Sequence, residues 1–413
     1  SSSEAATSLT PFEQTAITGT TLAGEAAPNI LIDSEDVGYF EAPIIAAGDV
    51  PAAARAPSQQ VFRDPEQDAI WLRHREAELL RREAERRLVE ELGSGPQLFA
   101  DDILAEQAAA ALGVARSVGD TIAIKVASSC SVYDSISTVV RYIGTSGLYL
   151  EDLGNPVDTS FTAAQYATWD ATFSGTTLPK IVEYFGERSD NTGFGLDDAD
   201  RIAVLVTKEV NKGGTSLGYV YSVDHYPTST CVGSNYGEMF YGRAPDPDGV
   251  HGTVYTQAAV AAIYPALLVH ETTHTLQYTQ MVHGGAVYKD TWEMEGGATM
   301  TEWLVGNELL GHGGSGQNLG QTEFLAGYDW YKDIFVDASH YLGYSSSGHV
   351  AGAPEECTWL EKSPPGPCIG GSRAVYGVPA TLLRFILDWY GPSYAGGEAA
   401  LMRDLISSAY TGY

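Results

Sequence analysis

The run Ala266-Leu-Leu-Val-His270-Glu271-Thr-Thr-His274-Thr-Leu-Gln-Tyr278 sets two histidines and a glutamate in an apolar segment with no other charge. Burying such groups without partners is costly, so the segment must fold where something receives them. Read as a helix, positions i and i+4 lie about 40° apart around the axis, and both imidazoles face one point where they can share a metal ion. Glu271 projects beside them, placed to take a proton from metal-activated water.

A catalytic zinc takes three protein ligands and leaves one position open. The metzincin arrangement needs a further Gly and His along the same run, but Gln277 and Gln280 stand there. The third ligand must therefore come from elsewhere, and His283, Glu293 and Glu295 are the candidates. Trp292-Glu-Met-Glu295-Gly-Gly-Ala298-Thr-Met-Thr-Glu302-Trp303 reads as a second helix, and the stretch from 275 to 294 is long enough to return it antiparallel to the first. Glu295 is the expected ligand. Glu293 should point off its face, and His283 sits among loop residues. Glu302, two turns beyond Glu295, could orient a ligand from behind.

The remaining chain divides by composition. Residues 1–62 are rich in Ala, Thr, Ser, Gly and acids and read as an extended arm. Residues 63–95 read as one long helix, capped by Asp64, opened by Pro65 and stopped by Gly93. Its Arg and Glu blocks leave a narrow apolar stripe of Leu72, Leu80, Leu88 and Leu92, enough for one partner surface. That helix and arm are expected to serve packing, a pro-segment role or self-association. Residues 1–93 hold no ligand or nucleophile cluster, and none is expected to touch the metal chemistry. Residues 96–155 alternate as short strands (Thr121–Val126, Ser135–Ile143, Gly147–Glu151) and read as a small antiparallel β unit. In 156–413, Thr162 and Gln165 form a capping box, Arg201–Thr207 and Gly237–Tyr241 read as strands, and helices dominate from about Pro265. The fold class is α+β.

A net charge of −30 excludes a nucleic-acid partner, whose phosphates require a basic surface. No run reaches the roughly 18 apolar residues of a membrane span. The four cysteines lack the C-x-x-C spacing of a structural zinc site. Cys357 and Cys368 bracket a turn-rich loop that a disulfide could close, which leaves Cys130 and Cys231 as the second pair and implies an oxidising compartment. A start at Ser1 with no apolar leader fits an exported protein whose signal has been removed. Asp190, Asn191, Asp197, Asp198 and Asp200 crowd one loop that could hold Ca²⁺, although an ordinary solvated turn accounts for it as well.

H-E-x-x-H followed at this distance by E-G-x-A-x-x-x-E resembles the gluzincin metallopeptidases. The segments Tyr149-Leu-Glu-Asp-Leu-Gly-Asn-Pro156, Tyr184-Phe-Gly186, Val204–Asn211 and Ser234–Tyr241 are similar to the hyicolysin-like secreted bacterial peptidases. The resemblance runs from about Gly147 to Tyr390. It departs at Trp292-Glu293-Met294, where the family more often has an Asn before the ligand Glu. It implies a zincin-type domain, with a mixed sheet above the H-E-x-x-H helix, a helical C-terminal part and one catalytic Zn²⁺ on His270, His274 and Glu295. Glu271 would be the general base acting on a protein or peptide substrate. That substrate would lie along an edge strand, here Gly237–Tyr241. A donor to the transition state is implied downstream of Glu295, among Tyr376, Tyr341, His340 and Tyr344, with Tyr376 preferred. The rival from another class is a structural or surface assembly subunit built on a peptidase fold.

Overall fold

The computed structural model describes residues 65–99, 116–188, 201–214, 216–312, 319–341 and 371–408. The N-terminal arm, Asp64, the Asp190–Asp200 loop, Tyr344, and the Cys357 and Cys368 loop lie outside the described residues. Helix α1 spans Pro65–Leu92. Pro65 stands at its first position, where a missing N–H does no harm. Gly93, at φ 83°, turns out of the helix, and its N–H donates to Val89 O at 2.9 Å.

Strands β1 (Thr121–Ala127), β2 (Tyr133–Ile143) and β3 (Gly147–Asp152) pair antiparallel in sequence order. They are not a separate unit. β3 continues in parallel register into β4 (Ile202–Thr207), Gly147 opposite Ile202, so all three belong to one six-stranded sheet ordered β1-β2-β3-β4-β6-β5. β3 and β4 are buried along their whole length, as central parallel strands covered on both faces must be. Here β5 is the two-residue strand Gly218–Tyr219 and β6 is Met239–Arg243. The expected edge strand Gly237–Tyr241 is corrected by this order. β6 pairs with β4 on one side and β5 on the other, so the edge on that side is β5.

The sheet separates two cores by strand alternation. Leu148, Leu150, Ala203 and Leu205 face one side. Tyr149, Val204, Val206 and Phe240 face the other, against α2 (Ala163–Thr172) and the H-E-x-x-H helix. Thr162 caps α2 in the expected capping box with Gln165. After α3 (Leu178–Phe185) comes the H-E-x-x-H helix itself, α4 (Gln257–Tyr278), capped by Thr256 accepting from Ala259 N at 3.1 Å. α4 gives Tyr264, Leu267 and Leu268 to the sheet and Val269 and Leu276 to a third core. A helix wedged between two cores must be apolar on most of its surface, and this one is. The third core is shared with α5 (Thr291–Leu310), α6 (Tyr328–Tyr341), α7 (Gly371–Tyr390) and α8 (Gly397–Ser407). Among the described residues no helix is long and apolar enough to cross a membrane.

Candidate metal centre

Two helices bring the candidate ligands together. α4 carries His270, Glu271 and His274 on its buried face, and α5 carries Glu295 and Glu302 on its own. The Gly296-Gly297 pair explains how closely α5 can approach. A Cβ on Gly296 would lie 2.5 Å from Pro379 Cβ of α7, and one on Gly297 would lie 3.0 Å from Gln277 Nε2 of α4. Only glycine leaves room for both neighbours, which is the local reason for the E-G-G-A segment.

The three candidate ligand atoms form a nearly equilateral triangle. His270 Nε2 stands 3.2 Å from His274 Nε2 and 3.1 Å from Glu295 Oε2, with His274 Nε2 to Glu295 Oε2 at 3.4 Å. Ligand atoms about 2.0–2.2 Å from a tetrahedral zinc stand roughly 3.3–3.6 Å apart, so the triangle fits such an ion with little adjustment. All three residues are buried, with His270 the most open at 7% exposure.

The outer nitrogen of each ring is anchored. His270 Nδ1 lies 2.8 Å from Glu302 Oε1, the orienting role expected of that residue. His274 Nδ1 lies 2.7 Å from Gln277 Oε1, and Gln277 Nε2 donates to Met294 O at 3.1 Å. The amide oxygen must therefore face His274, so Nδ1 carries the proton and the Nε2 lone pair is left for the centre. Gln277 was not foreseen. Its signal in the sequence is an amide one turn after the second histidine.

The electrostatics agree with this division. Burial and the Arg82 charge push His274 down to about 4, keeping it neutral. Burial would raise Glu295, but His274, Arg82 and the His270 hydrogen bond outweigh it and hold the carboxyl well below its ordinary range. Burial would lower His270, yet Glu295 and Glu302 overcome it and lift the ring to about 10.

Glu271 is fully buried. Its Oε2 accepts from Val220 N at 3.1 Å, just beyond β5, and its Oε1 has no hydrogen-bond partner among the described residues. Burial first, then the nearby charge of Glu78, raises its pKa. Tyr376, on α7, is buried with its ring stacked on His270 at 5.9 Å between centroids, and its hydroxyl is also without a hydrogen-bond partner among the described residues. His340 and Tyr341 are on α6. The rejected ligands are elsewhere: Glu293 accepts from Asp290 N at 3.2 Å in the capping box of α5. His283 packs on Phe99 and His225.

The largest correction concerns α1. Its expected Leu stripe sets only part of the contact face: Leu88 and Leu92 pack against the core, Leu80 is 66% exposed, and the Leu72 side chain lies outside the described residues. The buried face carries His74, Arg75, Glu78, Arg82 and Glu85 as well, with Leu79 and Val89. Nor does α1 stay clear of the centre. Arg82 Nε donates to Glu295 Oε1 at 2.8 Å, its Nη2 donates to Glu78 Oε2 at 3.0 Å, and Nη2 lies 3.8 Å from Glu271 Oε2. Arg82 also pairs with Glu85 at 2.7 Å and with the Tyr278 hydroxyl. The spacing 74, 78, 82, 85 puts these groups on one helical face, a pattern visible in the sequence but charged where an apolar face was sought.

His270, His274 and Glu295 form a group able to hold a metal ion. No protein-family model matches the sequence, and no curated protein matches it. Among solved structures, a mutant of the M1 zinc metallopeptidase from Deinococcus radiodurans aligns with a TM-score of 0.30 and 12% identity. The alignment covers 70% of this chain and 44% of that one, so this chain spans less than half of that chain's length.

Cys130 and Cys231 are joined in a disulfide, with Cα atoms 4.8 Å apart. It fastens the β1–β2 turn to the loop before β6.

Proposed function

We propose that the chain is a zinc-dependent peptidase of the gluzincin type, with His270, His274 and Glu295 as ligands. The observation that carries this is the ligand triangle, its outer nitrogens anchored by Glu302 and Gln277, with Glu271 on the same helix. Zinc, when bound, supplies a Lewis acid that polarises a carbonyl and makes water easier to deprotonate. Glu271 takes the proton from the attacking water and passes it to the amine nitrogen as the C–N bond breaks. The Val220 N–H holds one oxygen of that carboxylate and leaves the other for the proton. Tyr376 donates its unpartnered O–H to the carbonyl oxygen as that atom gains negative charge. A peptide would add to the edge at Gly218–Tyr219, its backbone meeting the side of β5 away from β6. The closeness to hyicolysin-like enzymes rests on the sequence segments, and export is supported by the Cys130–Cys231 bridge.

Metal analysis tests the reading first: one zinc per chain is expected, and it should be lost in His274→Ala. Casein digestion should be chelator-sensitive. In Glu271→Gln it should fall by about 10² or more while zinc content stays at the wild-type level. Full turnover in a zinc-replete Glu271→Gln protein would remove Glu271 as base. A structural subunit is the other reading, favoured by the way α1 fills the site, and a chain that holds no zinc would support it.

A further inference from the structure

We propose that α1 is a built-in inhibitor, a helix that occupies the substrate cleft and keeps the enzyme latent until it is displaced. The inference rests on the peptidase reading and adds its regulation. Its basis is that one candidate ligand, the base and the proposed donor each meet a side chain of this one helix. Arg82 holds the ligand carboxylate of Glu295 and lies beside the base Glu271. The Arg75 guanidinium covers the ring of Tyr376 at 4.4 Å.

The edge strand is taken as well. His74 Nδ1 accepts from Leu217 N at 3.2 Å and Glu85 Oε1 accepts from Ser222 N at 3.3 Å, one on each side of β5. Arg81 lies over the Tyr219 ring at 3.6 Å. Backbone donors flanking an edge strand are what an extended substrate would engage. A helix docked only for packing has no reason to bind the carboxylate, the aromatic and the edge donors together.

The chemistry of the contact also suits release. The described buried face of α1 carries many ion pairs and hydrogen bonds, including Arg75 with Asp337 on α6, beside the buried Leu79 and Val89 and the partly buried Leu88 and Leu92. Buried ion pairs roughly balance their desolvation, so they specify the docked position without holding it strongly. A permanent structural helix would be expected to present an apolar stripe to the body.

The test uses the full-length chain loaded with zinc. Arg82→Ala removes the contact to Glu295, and Arg81→Ala removes the cover over the Tyr219 ring without touching the candidate metal ligands. Two quantities are read: hydrolysis of casein, and the rate at which a chelator strips the zinc. Both should rise, by on the order of tenfold or more in Arg82→Ala and by less in Arg81→Ala, if the docked state is the major population. Arg82→Lys, which keeps the charge, should stay closer to wild type. Wild-type protein that already cleaves casein and releases zinc as fast as a folded Arg81→Ala protein would overturn the inhibitor while leaving the peptidase reading intact. Loss of zinc from folded Arg82→Ala would also overturn it, by making α1 part of the metal site. A wild-type chain that takes up no zinc would overturn the peptidase reading itself, and the inhibitor with it.

Discussion

One carboxylate of this chain is divided between two elements far apart in sequence. Glu295 Oε1 accepts from Arg82 Nε at 2.8 Å, while Oε2 lies 3.1 Å from His270 Nε2. In the docked state the arginine engages one oxygen, and the other faces the two histidines.

Glu302→Gln should keep the fold and weaken metal binding by about 10–100-fold, because it removes the charge behind His270 Nδ1 without changing the shape of the side chain. Zinc affinity by competition with a chromophoric chelator measures it. An unchanged affinity would mean that Glu302 serves packing alone.

Gly296→Ala should destabilise the protein by about 1–3 kcal/mol, since the added carbon would meet Pro379 Cβ at 2.5 Å and α5 would have to shift from α7. The shift would carry Glu295 with it, so zinc affinity should fall in the same variant. Thermal melts with and without metal separate the two effects.

Asp224 sets a pH dependence away from the centre. Burial raises its pKa from 3.8 to about 6, although Asn235 and the Tyr241 hydroxyl donate to it and partly offset the rise. The folded state therefore holds a proton that the unfolded state releases near 3.8. Stability is greatest below that value and falls as pH rises to about 6, by roughly 3 kcal/mol from this group. Asp224→Asn should flatten this part of the curve in denaturant melts run from pH 4 to 7. A slope unchanged by the substitution would assign it to other groups.

Reduction of Cys130–Cys231, which closes a loop of 101 residues, should lower stability by about 2–5 kcal/mol and leave the ligand triangle intact. Urea midpoints with and without reductant, beside zinc content, check both halves of that statement.

The catalytic helices were legible because their chemistry is local. The i, i+4 histidines, Glu295 and Glu302 one heptad apart, and the glycines between them all follow from helix periodicity. The strands β1–β4 were legible from alternation and apolar runs. What joins them was not: the parallel pairing of Gly147–Asp152 with Ile202–Thr207 spans a helical insertion and leaves no local signal. β5 escaped notice because two residues cannot show a period. The docking of α1 escaped for another reason. Amphipathic reading looks for an apolar stripe, and Leu80 supplied one position of it, but the partner surface is itself charged and selects His74, Glu78, Arg82 and Glu85.

The depth at which α1 seals His270, His274 and Glu295 has a bearing on the order in which the molecule is built. His274 and Glu295 are fully buried, and His270 is 7% exposed. An ion arriving after the helix has docked would have to wait for local undocking, so uptake would run at the rate of that opening and not of diffusion. An ion present while the chain is still folding meets the ligands first and is enclosed afterwards. The same sequence would then yield two long-lived species, filled and empty, whose proportions record the conditions of synthesis more than the affinity of the site.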